Sequence, residues 1–146
     1  PIQLQYLRLL KDIQAETGLA IIFITHDFGI GAKMCDRVAV MYAGKIIESG
    51  NAEEIYGNPK HPYTLGLLNS VPRLDEALRE KLEPIMGMPP SLVDLPEGCS
   101  FAPRCPFVID RCTRETPPLM RVGGEHESAC WRFDELAELN RPNAVN

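Results

Sequence analysis

Positive charge is in deficit along this chain. Against 20 Asp and Glu stand 15 Lys and Arg, and a net charge of −5 leaves no basic field to hold a phosphate backbone or an anionic membrane surface at long range. That balance argues against nucleic acid as a partner. Long apolar runs are missing too: the longest, Leu19–Ile24 and Val38–Ala43, fall far below the roughly 20 residues a bilayer-crossing helix needs. No charged-then-apolar export signal opens the chain, so the expectation is a soluble, cytosolic protein whose thiols stay reduced. An even set of cysteines is lacking as well. With five, one is left over from any disulfide framework, and metal or cluster ligation becomes their leading use. The sequence also has no internal repeat, no Gly-rich phosphate loop, no Ser/His/Asp arrangement and no paired-carboxylate signature, so it does not read as a complete enzyme.

What is present divides at proline. Eleven of the thirteen prolines lie between Pro59 and Pro118, whereas Ile2–Asn58 has none. The first part can therefore hold regular elements. Ile2, Tyr6, Leu9, Leu10 and Ile13 recur at helical spacing and Gly18 stands where a helix would stop. Leu19–Ile24, continuous and isoleucine-rich, suits a strand of a parallel sheet buried on both faces. After a short segment around Ile30–Met34, Val38–Tyr42 and Lys45–Glu48 predict a hairpin turning at Ala43-Gly44. Asn51 and Glu54 predict a capping pair for a short helix through Tyr56. Such a set is too small to close a doubly wound sheet, so the strands flanking Leu19–Ile24 are expected upstream of Pro1. In the second part, Pro62 predicts a helix start running through Ser70. Arg73–Lys81 is a charged helix or connector. From Pro84 onward neither helical nor strand period persists, and a segment of this kind needs an external staple to offset its ordering entropy. The acidic run 134–138 predicts a solvated helix face, and Asn140–Asn146 a frayed tail.

Two constellations carry chemistry. His26, in the turn Thr25-His26-Asp27, follows the end of the predicted parallel strand, where open α/β sheets bind ligands. Its imidazole could donate to a phosphate oxygen, although position alone fits a surface turn histidine better. The cysteines run Cys99-x5-Cys105-x6-Cys112-x17-Cys130, with Cys35 apart beside Met34, where it reads as a small apolar side chain. Four thiolates within about thirty residues suit either one tetrahedral zinc ion or one [4Fe–4S] cluster. The absence of a tight zinc knuckle suits the bulkier cluster somewhat better, but spacing alone leaves cluster and zinc level, with plain reduced thiols as the lesser alternative. Arg104, Arg111 and Arg114 surround the cysteines with positive charge that favours thiolates. Trp131, next to Cys130, reads as a packing cover.

Taken together, Leu19-Ala20-Ile21-Ile22-Phe23-Ile24-Thr25-His26-Asp27 and the stretch from Asp36-Arg37-Val38 to Glu48-Ser49-Gly50 closely resemble the last part of the ATP-binding subunit of bacterial ABC transporters. His61-Pro62-Tyr63-Thr64 and Gly98-Cys99-Ser100-Phe101-Ala102-Pro103-Arg104-Cys105-Pro106 narrow the resemblance to the oligopeptide/dipeptide and nickel importer branch, from about Ile2 to Trp131. The resemblance implies an α/β fold: the carboxyl-terminal part of an ABC-type P-loop nucleotide-binding domain over residues 1–57, an irregular, proline-rich, cysteine-containing extension over 58–133, and an acidic helix and tail over 134–146. It implies that His26 is the switch histidine contacting the γ-phosphate of ATP, which binds with Mg2+, and that Cys99, Cys105, Cys112 and Cys130 hold a [4Fe–4S] cluster, zinc being the alternative. It further implies an ATPase subunit energising peptide import from the cytoplasmic face of the bacterial inner membrane, docked on membrane-spanning permease subunits and paired with a second ATPase subunit. The phosphate loop, glutamine loop, signature motif, magnesium-binding aspartate and catalytic glutamate of that family are absent from this sequence, so the chain by itself is expected to be inactive. The reading from a different class is a non-catalytic metal- or cluster-binding module used for structure and partner docking.

Overall fold

A computed structural model describes residues 2–70, 85, 87–88 and 90–139. The expected elements at Arg73–Lys81 and Asn140–Asn146 lie outside the described residues. Helix α1 (Ile2–Thr17) forms where helical spacing predicts it, and Gly18, at φ 69°, closes it by donating to the Gln14 carbonyl at 2.9 Å. Its expected apolar face is nonetheless turned outward. Tyr6, Leu9 and Ile13 are exposed and Leu7 is the buried contact.

The parallel strand expected at Leu19–Ile24 is not formed. The run is irregular, with Ile22 and Ile24 92% and 94% exposed. A strand of that kind needs neighbours on both edges and cover on both faces, and the strands among the described residues are all in one antiparallel sheet elsewhere. Helix α2 (Phe28–Met34) follows, its N-cap supplied by Asp27, whose Oδ1 accepts from the Gly29 and Ile30 N–H groups at 2.9 and 3.3 Å.

The hairpin forms as expected, β1 (Arg37–Tyr42) against β2 (Lys45–Asn51). Both turn residues have positive φ, Ala43 at 48° and Gly44 at 77°, the backbone of a two-residue turn matched to strand twist. Strand β1 alternates, burying Val40 and Tyr42. Strand β2 does not: Val40 faces Glu48 and Met41 faces Ile46, so Ile47 is an extra residue in a bulge and both Ile47 and Glu48 are buried. Asn51 and Glu54 make the predicted capping box for α3 (Ala52–Gly57).

Beyond residue 57 the helix α4 (Pro62–Asn69) starts at the predicted proline. Next come a single 3-10 turn (Ala102–Arg104), α5 (Asp110–Arg114), two short strands that period did not reveal, β3 (Met120–Gly123) and β4 (His126–Ser128), and α6 (Leu136–Leu139), anchored by buried Leu136. The sheet order is β1-β2-β4-β3, so residues on both sides of position 57 share one sheet. Val40, Tyr42, Ile47, Ile55 and Phe101 form the core beneath it. Tyr42, Tyr63 and Phe101 meet pairwise with centroids 4.7 to 5.5 Å apart, tilted or edge to face, and join the hairpin, α4 and the cysteine segment.

Candidate functional site

The cysteine segment is tied down at each end of its loops. Cys99 lies just before the 3-10 turn and Cys105 closes it, its N–H donating to the Ala102 carbonyl at 3.2 Å. Cys112 sits within α5, and the Cys99 N–H donates to its carbonyl at 2.7 Å. That approach requires glycine at 98: a Cβ there would stand 2.2 Å from the Cys112 carbonyl oxygen. Cys130 follows β4, and the preceding Ala129 N–H donates at 2.8 Å to the carbonyl of Ile47, the bulge residue.

All four expected cysteines border one small cavity of about 20 Å³, with His61, Phe101 and Trp131 among its other walls. Cys35 is not part of it. The sulfurs sense one another, and each of three is met by a backbone N–H two residues on: Phe101 at Cys99, Phe107 at Cys105 and Arg132 at Cys130. Burial pushes the Cys99 thiol up, the Cys105 thiol up to about 11 and the Cys130 thiol up to about 12. The neighbouring sulfurs push in the same direction, and the N–H donors oppose them. A thiolate in this setting needs a cation bound to it. Among the described residues no three His, Cys, Asp or Glu side chains converge to hold one metal ion as they stand.

Trp131 covers the cavity as expected, stacked under the Arg111 guanidinium 3.5 Å from its centroid and donating from Nε1 to the Glu115 carbonyl at 3.2 Å. Arg104, in contrast, turns toward the core, with Tyr42 Oη at 3.4 Å and the Ile85 carbonyl at 3.2 Å.

His26 stands exposed on the bend before α2 and does not line this cavity. Its neighbours organise the turn: Thr25 Oγ1 accepts from the Asp27 N–H at 3.0 Å, and Asp27 caps the helix. The two expected sites are therefore separate places on the chain.

Sequence reasoning missed a buried polar group between the sheet and α4. Glu48 is fully buried, with Oε1 2.7 Å from His126 Nε2 and accepting from the Lys60 N–H, while Ser128 Oγ donates to the Lys60 carbonyl at 2.8 Å. Burial pushes the Glu48 carboxyl up, and the Thr64 hydroxyl, the Lys60 N–H and His126 work against it. Among the described residues Glu48 Oε2 and Thr64 Oγ1 complete no hydrogen bond. The His61-Pro62-Tyr63-Thr64 motif thus has a physical role. His61 caps α4 by accepting from the Tyr63 N–H at 3.1 Å, Tyr63 enters the aromatic group, and Thr64 faces Glu48.

Residues 47–112 match the family described as oligopeptide/dipeptide transporter, C-terminal region. The chain is 48% identical over 141 residues to a peptide import ATP-binding protein of Brucella ovis, covering 93% of this chain and 42% of that protein. It is 50% identical over 137 residues to a dipeptide transport ATP-binding protein of Bacillus subtilis, covering 94% and 41%, and 45% identical over 138 residues to a peptide ABC transporter ATP-binding protein of Sinorhizobium fredii, covering 94% and 41%. The chain spans about two fifths of the length of these relatives. Residues 47–112 are thus similar to the oligopeptide/dipeptide transporter C-terminal region, and over more than nine-tenths of its own length the chain is similar to ATP-binding proteins of peptide ABC transporters.

Proposed function

We propose that the chain is the carboxyl-terminal part of an ATPase subunit that energises peptide import, working at the cytoplasmic face of the bacterial inner membrane with membrane-spanning permease subunits and a second ATPase subunit. The observation that carries this reading is the similarity, at 45 to 50% identity across nearly the whole chain, to proteins named for peptide transport and ATP binding. The residues present belong to a nucleotide-binding fold of the P-loop class, and His26 contacts the γ-phosphate of ATP held with Mg2+. Its exposure on a bend pinned by Thr25 and Asp27 suits a contact made from outside. Phosphoryl transfer is largely positioning and electrostatics. His26 supplies one contact among several. In the full-length subunit with its permease partners, His26→Ala is expected to lower ATP turnover at least 100-fold while leaving unfolding by urea unchanged. Wild-type turnover in that variant overturns the assignment.

For the cysteines, the proposal is that Cys99, Cys105, Cys112 and Cys130 hold a [4Fe–4S] cluster, which takes one thiolate at each iron and so does not require four sulfurs to meet at a point. Their shared cavity and the N–H donors at three of them support it. The small size of the cavity favours the second reading, one zinc ion with sulfurs at about 2.3 Å. Metal and acid-labile sulfide analysis of anaerobically purified chain decides: iron with sulfide is expected, and zinc alone overturns the cluster.

A further inference from the structure

We infer that Tyr56 is a positioning residue for His26, its hydroxyl holding the Phe28 carbonyl and with it the turn that carries the histidine. The inference rests on the reading of His26 as a γ-phosphate contact. Tyr56 Oη donates to the Phe28 carbonyl at 2.7 Å, and the two rings meet edge to face with centroids 5.5 Å apart.

Helix α2 has seven residues, too few to order itself, so it takes its place from what grips it. Phe28 packs against the core, and Tyr56 grips the same residue by ring and by hydroxyl. The hold passes back along the chain in two steps. Asp27 Oδ1 accepts from the Gly29 and Ile30 N–H groups in the first turn of α2, and Thr25 Oγ1 accepts from the Asp27 N–H. His26 lies between Thr25 and Asp27 and is exposed, so the direction in which it presents its imidazole follows that first turn.

The hydroxyl is specific where the ring is not. Phenylalanine would fill the same space and keep the edge contact, whereas the oxygen adds a bond to one backbone atom two residues after His26. A carbonyl has two lone pairs, so this bond is compatible with the ladder of α2. Gly31 clears the approach: a Cβ there would stand 2.5 Å from Tyr56 Oη. Burial, with Cys35 and Asp27 adding to it, pushes the Tyr56 hydroxyl up to about 12, so it remains a donor throughout the neutral range. Tyr56 itself stands on a fixed base. Its helix α3 carries the Asn51–Glu54 capping box, Ile55 beside it is fully buried, and the Ala52 N–H donates to the Asp36 carbonyl at 3.0 Å. Tyr56 therefore ties the His26 turn to the hairpin and to the helix that leads into α4.

The test uses the full-length subunit with its permease partners. Tyr56→Phe removes the hydroxyl and keeps the ring. ATP turnover is expected to fall about 10-fold in kcat with KM for ATP within about twofold of wild type, the pattern of a misplaced group and not of lost substrate binding. In a His26→Ala background the same substitution is expected to lower kcat no further, because the two residues act as one unit. Wild-type kcat in Tyr56→Phe, or an equal fall with and without His26, overturns the inference and leaves Tyr56 as a packing residue. Amide exchange supplies a readout independent of turnover: in Tyr56→Phe the Gly29 and Ile30 amides are expected to exchange faster while β1 and β2 keep their wild-type rates. Unchanged exchange at Gly29 and Ile30, or uniform acceleration across the chain, overturns the inference. Wild-type turnover in His26→Ala overturns the γ-phosphate reading itself, a failure seen before Tyr56 is changed, and exchange at Gly29 and Ile30 then decides whether Tyr56 holds the turn.

Discussion

Position 98 tolerates a hydrogen and little more. A Cβ there would stand 2.2 Å from the Cys112 carbonyl oxygen and 2.6 Å from the Thr113 carbonyl carbon, and both are backbone atoms that cannot swing aside. Gly98→Ala must therefore separate Cys99 from Cys112, breaking their 2.7 Å backbone bond. The expected result is a loss of about 3 kcal/mol in urea unfolding, against a few tenths for the open glycine Gly57. The cysteines were legible from spacing, but Gly98 was not, because the atoms that exclude a side chain lie fourteen positions further along. His61 makes the second residue-level prediction. Burial lowers its pKa from 6.5 to about 3, so between those values the unfolded chain binds a proton that the folded chain does not. Stability is lost as pH falls below 6.5, by about 1.4 kcal/mol per unit until about pH 3. Glu48, whose pKa is raised, acts in the opposite sense above 4.5. The difference in unfolding free energy between wild type and His61→Asn, followed by urea titration from pH 7 to pH 4, isolates the histidine and is expected to shrink toward acid.

At the scale of elements, local signals and long-range ones parted. The hairpin, the Asn51–Glu54 capping box and the start of α4 at Pro62 formed where neighbouring residues specify them. Leu19–Ile24 did not, because a doubly buried strand is made by its neighbours and its own apolar run can only permit it. Strands β3 and β4, of four and three residues, are too short for alternation to show, and the pairing of β4 with β2 and of β3 with β4 defines them. The turn of the hairpin carries a testable cost. Ala43 occupies φ 48°, a region that disfavours a Cβ, beside Gly44 at 77°. Ala43→Gly is expected to raise stability by about 0.5–1 kcal/mol, read as a higher urea midpoint at unchanged slope, since relief of turn strain outweighs the added freedom of the unfolded chain.

For the whole molecule the decisive feature is the bulge at Ile47. By shifting the phase of β2 it turns Glu48, which strict alternation would leave on a solvated face, into the interior. There Glu48 binds the two pieces that frame the cysteine site: the residues entering α4, through the Lys60 N–H, and β4, through His126, two positions before Ser128 and four before Cys130. The bulge also leaves the Ile47 carbonyl to accept from Ala129, so a single irregularity in the hairpin fixes the strand that delivers Cys130. Removing Glu48 strands a buried imidazole and the Lys60 N–H at once, the case in which breaking one partner of a buried pair costs several kcal/mol. Glu48→Ala is therefore expected to destabilise the chain by about 3 kcal/mol. It should also speed amide exchange at 126–130 and 59–61 more than in β1, because those segments lose their anchor while the hairpin keeps its own ladder. Uniform acceleration across all strands would show that Glu48 contributes only to global stability. Acceleration confined to the two anchored segments would show that the hairpin and the cysteine segment are held together through this carboxylate.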